Sequence, residues 1–215
     1  MSEHEFEPVR GLPEELPAGE RMLWQGAPRW QSLAVQAFHV RKVAVYFGLL
    51  AAFQAAAALV DGGTAREALA ASSWLVVLGI GAVSVLAVLA RLAAGGTVYT
   101  LTNRRIVMRF GIALPMTVNL PFAAIESAVL GRRPDGTSDI ALALVRGTRI
   151  GYLVNWPNVR PWHYSRPQPM LRALPDGERV ASMLGEALTA ATQPAVAHAG
   201  RGSGTTSGRP LTAAA

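Results

Sequence analysis

Two stretches of this chain run without a formal charge: Val43–Val60, 18 residues, and Ser72–Ala90, 19 residues. A surface helix of that length normally carries a charged face, and neither run has one. At helical rise each covers roughly 27–29 Å, close to the hydrocarbon core of a bilayer. Both are rich in Ala and Gly, and Gln54 is the polar intruder in the first. Two buried helices of a soluble bundle would be the competing reading, but such helices need a polar side that these runs lack.

The flanks fit a membrane hairpin. Arg41-Lys42 stands just before the first run and Arg91 just after the second, whereas the connection Asp61–Ala71 holds one base and two acids. Positive residues favour the cytoplasmic side, which predicts cytoplasmic termini and a short loop on the far side. Tyr46 and Trp74 fall near opposite interfaces, where amphipathic rings settle. The first run begins after an acidic segment of about 40 residues, unlike a cleaved signal peptide. The expected order is a cytoplasmic segment (1–40), a two-span hairpin (41–94), a further domain (96–190) and a tail (191–215). Within the first run Gly48, Ala52 and Ala56 recur every four residues. This stripe of small residues allows close approach of the second span, of another protein's helix or of a second copy of the chain.

After Thr97 the pattern alternates. Val98–Thr102, Arg105–Phe110, Met116–Leu120, Ile125–Leu130, Ile140–Val145 and Ile150–Val154 read as short strands, with turns at Gly111, Asp135-Gly136 and Gly147. Asp176 then offers an N-cap, and Val180, Met183, Leu184, Ala187 and Leu188 fall on one helical face. Six or seven strands followed by one amphipathic helix form the outline of a pleckstrin-homology-like (PH-like) barrel. The expected fold is therefore a membrane α-helical hairpin plus a β-rich PH-like barrel with a C-terminal helix. From Ala191 onward large apolar side chains are almost absent, which predicts disorder.

Particular residues carry a family resemblance. The segment Leu16-Pro-Ala-Gly-Glu20-Arg-Met-Leu-Trp24-Gln-Gly-Ala-Pro28 resembles the lead-in of bacterial membrane proteins with a PH-like domain, and Tyr99-Thr-Leu-Thr102-Asn-Arg104-Arg105-Ile-Val107 resembles that domain's opening strand and turn. Further blocks are similar to PuhB-type photosynthetic complex assembly proteins of purple bacteria: Gly111–Phe122, Gly151-Tyr-Leu153, Trp156-Pro157-Asn-Val-Arg160-Pro161-Trp162 and Pro169-Met-Leu-Arg172. The resemblance covers roughly residues 9–190. It implies a non-enzymatic factor of the bacterial inner (intracytoplasmic) membrane that helps assemble the reaction centre and its core antenna, with subunits of those complexes as partners.

The side-chain inventory agrees with a non-enzyme. There is no cysteine, which removes thiolate metal sites and Cys nucleophiles. His4, His39, His163 and His198 are scattered, and no nucleophile-elbow or phosphate-loop motif occurs. No cofactor or metal site is expected. Neither span contains a histidine to hold a pigment; His39 lies at the interface, where it reads as an ordinary polar residue or a transient pigment contact. Asp135 and Asp139 read as turn formers.

The net charge of +6 resides mainly in residues 96–190, with eleven Arg against six acids. Arg104, Arg105 and Arg109 form either a lipid-facing basic patch or a solvated face, since each cation near an anionic leaflet gains on the order of 1 kcal/mol. A nucleic-acid partner is not expected from a domain tethered to a membrane without a reading helix. The segment Trp156–Arg172 interleaves aromatic rings with Arg and Pro, the residue types that dominate protein interfaces. Arg160, Trp162, His163, Tyr164 and Arg166 are the candidate partner-binding residues, and Trp156 is expected to pack onto the barrel. Two other classes stay open: a general lipid-sensing or membrane-stress PH-like protein, and a transporter accessory subunit. The lack of ionisable residues inside the spans argues against conduction by this chain.

Overall fold

A computed structural model describes residues 16–112, 114–148 and 150–199, the last eight of them by backbone alone. The elements run β1 (Met22–Gly26), α1 (Trp30–Gln36), α2 (Val40–Val60), α3 (Ala65–Gly95), β2 (Val98–Thr102), β3 (Arg105–Phe110), β4 (Met116–Pro121), β5 (Ile125–Arg132), β6 (Ser138–Leu144), α4 (Tyr152–Asn155), β7 (Met170–Leu174) and α5 (Gly177–Ala199).

The two uncharged runs form the antiparallel pair α2 and α3, both long and apolar enough to cross a membrane. Their tip is closed by a capping box: Glu67 N–H donates to Thr64 Oγ1 at 3.3 Å and Thr64 N–H to Glu67 Oε2 at 2.8 Å. In α2 only Ala51 is buried, while Val45, Leu49, Phe53 and Val60 are exposed. The packing seam on α3 runs through Ala68, Ser72, Leu75 and Gly79. A Cβ on Gly79 would stand 2.7 Å from that of Phe47, so glycine is what lets the two helices meet there. The stripe expected at Gly48, Ala52 and Ala56 is exposed and lies beside this seam rather than in it. Phe47 and Ala51 face the seam instead, and α3 supplies small residues there at Ala68, Ser72 and Gly79.

The strands form two antiparallel sheets, β1-β2-β3-β4 and β5-β6-β7. Tyr99, Leu101, Ile106, Met108, Ile140, Leu142, Leu171 and Leu174 fill the core between them, each 2% exposed or less. The face Val180, Leu184 and Ala187 of α5 closes that core, with Met183 and Leu188 packed at its margin, as the helical spacing predicts.

Four expectations need correction. The sheets do not close into a barrel: β4 ends at Pro121, which has no N–H to extend a ladder, and a 3-10 turn at Phe122–Ala124 swings the chain into the second sheet. The stretch Ile150–Val154 is not a strand, since β6 is already flanked by β5 and β7. Instead Asn155 bonds back to Gly151 O through its N–H at 3.3 Å and its side chain at 2.7 Å, closing the helical turn α4. The segment before the hairpin contributes to the domain, because β1 pairs with β2 from Met22↔Thr102 to Gly26↔Tyr99. Finally, α5 continues to Ala199, past the expected start of the tail; residues 200–215 lie outside the described residues.

Helix α1 joins the parts. Leu33, Ala34 and Phe38 pack on Ala90, Ala93 and Ala94 of α3. Arg29 N–H donates to Ala173 O at 2.9 Å, and Gln36 reaches Asp135 and Thr137 at the β5–β6 turn.

Candidate interaction site on the β domain

Residues 156–169 form the long connection between α4 and β7, and a buried polar post fixes its base. Tyr99 is fully buried; its hydroxyl donates to Asn158 Oδ1 at 2.5 Å and accepts from Arg172 N–H at 3.2 Å. Burial pushes the Tyr99 phenol well above its usual range. The Arg172 guanidinium, also buried, donates from Nη1 to Pro157 O at 2.9 Å. Burial lowers the Arg172 pKa, and the nearby Asp139 carboxylate opposes that shift. Asp139 is not the solvated turn former its position suggests. It is 3% exposed, accepts Ala173 N–H at 2.9 Å on Oδ1 and takes Arg133 on Oδ2. Arg172 Nε, Asn158 Nδ2 and Asn155 Oδ1 are buried without a hydrogen-bond partner among the described residues. The base is therefore held by few bonds, and each of them matters.

Above this post the connection closes into a loop. Arg160 N–H donates to Gln168 O at 2.8 Å, Arg160 Nη1 donates to Gln168 Oε1 at 3.0 Å, and Val159 bridges Pro169. Of the candidate partner-binding residues, Arg160 is thus the clasp at the loop's neck. His163 Nδ1 sits 2.9 Å from Pro161 O. Trp162 is 82% exposed and holds a left-handed φ of 65°. Its ring meets Tyr164 edge-on at 6.2 Å, and Tyr164 tilts against Tyr152 at 4.6 Å. A cavity of about 680 Å³ opens between this loop and the end of β6. Arg146, Arg166, Tyr152, Tyr164 and Gln168 line it together with a single acid, Glu126. The rest of the lining is aliphatic or neutral, so two guanidinium groups and two phenol rings are what the cavity offers for recognition, and guanidinium groups pair best with carboxylates.

The basic trio separates. Arg104 is exposed, while Arg105 is committed to Glu20 at 2.7 Å, where the carboxylate side chain is 3% exposed. Burial alone would raise the Glu20 pKa, but hydrogen bonds and charge from Arg105, Thr102 and Arg104 lower it overall. Val107, between Arg105 and Arg109 on the same side of β3, is buried, so this side is not a bare solvated face. Trp156 packs edge-on against Phe38 at the α1–α2 junction, with ring centroids 5.1 Å apart. His39 is exposed and, at φ 56°, makes the bend between α1 and α2.

Sequence reasoning missed the post. Tyr99 and Arg172 lay inside family-like blocks, but nothing in their spacing pairs them across 73 residues. It also missed Trp24, whose Nε1 donates to Asp176 Oδ2 at 2.8 Å and so ties β1 to the start of α5.

Comparison with known proteins adds two findings. The family model described as a bacterial PH domain matches residues 43–188. The chain is similar to an uncharacterized 23.7 kDa protein in the puhA 5′ region of Rhodobacter capsulatus, 40% identical over 196 residues, covering 88% of this chain and 90% of that protein. No solved structure matches.

Proposed function

The chain belongs to the bacterial PH domain family, and from that premise we propose that it is a non-enzymatic, membrane-anchored factor assisting assembly of the photosynthetic reaction centre and its core antenna. In this reading α2 and α3 cross the inner membrane, the termini and the β domain lie on the cytoplasmic side, and the Trp162–Arg166 loop with its cavity receives a nascent subunit. The observation that carries it is the relationship, over 90% of that protein's length, to the product encoded 5′ of puhA. Its location shares the puh designation with the PuhB-type proteins that the Gly111–Phe122 and Trp156–Trp162 blocks resemble. The geometry supports a docking role: Trp162 is held in a left-handed conformation, costly for an aromatic residue, and stays largely exposed with only an edge-on contact to Tyr164. The exposed apolar surface around α2 favours a lipid surrounding over a soluble one.

The lipid-sensing alternative loses one of its three arginines to the Glu20 ion pair. The test is a deletion strain complemented with the wild-type chain or with Trp162→Ala/Arg166→Ala. Loss of near-infrared reaction-centre absorbance, restored by the wild type and not by the double variant, supports the proposal. Normal absorbance and normal phototrophic growth in the deletion strain overturn it.

A further inference from the structure

We infer that the β domain is seated in the membrane interface by an apolar rim of two loops, with bilayer lipid as its occupant. This deepens the anchored reading above and rests on it. The start of α2 and the end of α3 lie at the same end of the hairpin, and each has one loop packed against it. At the end of α3 a Cβ on Gly96 would stand 2.2 Å from Gly111 O, so the β3–β4 turn is backed directly onto the helix root. That turn presents Ile112 and Leu114, 52% and 80% exposed. At the start of α2, Phe38 is met edge-on by Trp156. The helical turn just before Trp156 presents Leu153 and Val154, 85% and 53% exposed.

Four aliphatic side chains are thus left uncovered on two loops far apart in sequence, both at the roots of helices whose own outer faces are apolar. In the inferred arrangement the rim continues the apolar surface of the hairpin. Cations stand on the same level: Arg41 and Lys42 are exposed on the first turn of α2, and the Arg91 guanidinium lies 5.6 Å above the Trp30 ring. Aliphatic and Trp side chains beside cations match the boundary between acyl chains and anionic headgroups.

The chain has no cysteine, so single labels can be placed cleanly. The full chain, reconstituted in phosphatidylcholine/phosphatidylglycerol nanodiscs, carries an environment-sensitive fluorophore at Leu114→Cys or Leu153→Cys, with Ile112→Cys and Val154→Cys as second positions. Phe53→Cys, midway along α2, and Glu186→Cys, exposed on α5, are the references. The expected result is quenching of the rim labels by nitroxide lipids and iodide access at least about fivefold lower than at Glu186. Rim labels as open to iodide as Glu186, with Phe53 in lipid, overturn the rim and leave the anchored reading intact. Rim labels shielded from iodide yet untouched by nitroxide lipids also overturn it, in favour of a protein cover. A Phe53 label in water defeats the anchored reading itself.

Discussion

Tyr99→Phe removes one oxygen from the centre of the post and keeps the ring that packs the core. The hydroxyl serves two buried groups, Asn158 Oδ1 and Arg172 N–H. Stranding a buried polar group costs about 1–3 kcal/mol, and partial relaxation of the Asn158 amide keeps the net near about 2 kcal/mol. At 1.4 kcal/mol per tenfold, the connection opens about thirtyfold more often. Hydrogen exchange read by mass spectrometry reports this directly, because three amides close the loop base. They are Asn158 N–H to Asn155 O at 2.7 Å, Arg160 N–H to Gln168 O at 2.8 Å and Met170 N–H to Asn158 O at 2.9 Å. Their protection falls about thirtyfold in the variant, while the β3–β4 ladder changes much less. Protection that drops equally across both sheets, or less than threefold at the loop, refutes the assignment of Tyr99 as the local tie.

Three further outcomes follow from close contacts and charge. Gly96→Ala drives a methyl group into the Gly111 carbonyl and destabilises the chain by about 2 kcal/mol or more, whereas Gly81→Ala, with nothing within 4 Å, is neutral or slightly stabilising in denaturant titration of the detergent-solubilised protein. Gly79→Ala strikes Phe47 and weakens the α2–α3 pair, while Gly48→Ala leaves it intact; crosslinking yield between cysteines placed on the two helices separates them. Against the effect of burial, hydrogen bonds and charge from Arg105 hold the Glu20 carboxyl below the ordinary glutamate range in the folded chain. Its contribution is therefore complete above that range and is lost as pH falls through the lowered folded value. Glu20→Gln, costing about 1 kcal/mol at neutral pH, flattens the acid limb of the stability profile, below the ordinary glutamate range.

Legibility of this fold follows the range of the interactions involved. The apolar helices, five of the strands and the inward face of α5 rest on local periodicity, and they appear where charge-free length and alternation place them. The strand β1 was hidden because Met22–Gly26 is five residues long and half-buried throughout, with no clean alternation. It becomes a strand only by pairing with β2 across the entire hairpin. The swap of Ile150–Val154 for Met170–Leu174 has a similar cause. Both segments have strand-like composition, and the single free edge of β6 goes to the one whose Arg172 and Ala173 bond Tyr99 and Asp139. At the candidate site, Trp162 and Tyr164 are exposed. Arg105 and Arg160 did not behave as surface cations, because their partners Glu20 and Gln168 are fixed by tertiary contacts no spacing rule encodes.

The order of elements gives the hairpin a mechanical consequence. A domain that began after the hairpin would hang from one linker and swing freely, as tethered domains do by default. Here β1 and α1 precede the hairpin and β2 follows it, so the chain leaves the domain and returns to its neighbouring strand, with Gly26 opposite Tyr99. Leu33, Ala34 and Phe38 then grip Ala90, Ala93 and Ala94, which locks one helix root to the other side of the domain. Two covalent crossings and one apolar clamp leave no single-linker hinge between the hairpin and the sheets. The buried post that starts on β2, the strand joined to the end of α3, also holds the Trp162 loop. In the anchored reading, that loop stands at a set height above the bilayer, and a subunit emerging beside the hairpin meets an oriented surface rather than a mobile one. Such preorganisation lowers the entropy lost on docking, which favours capture of a partner that is itself only partly folded.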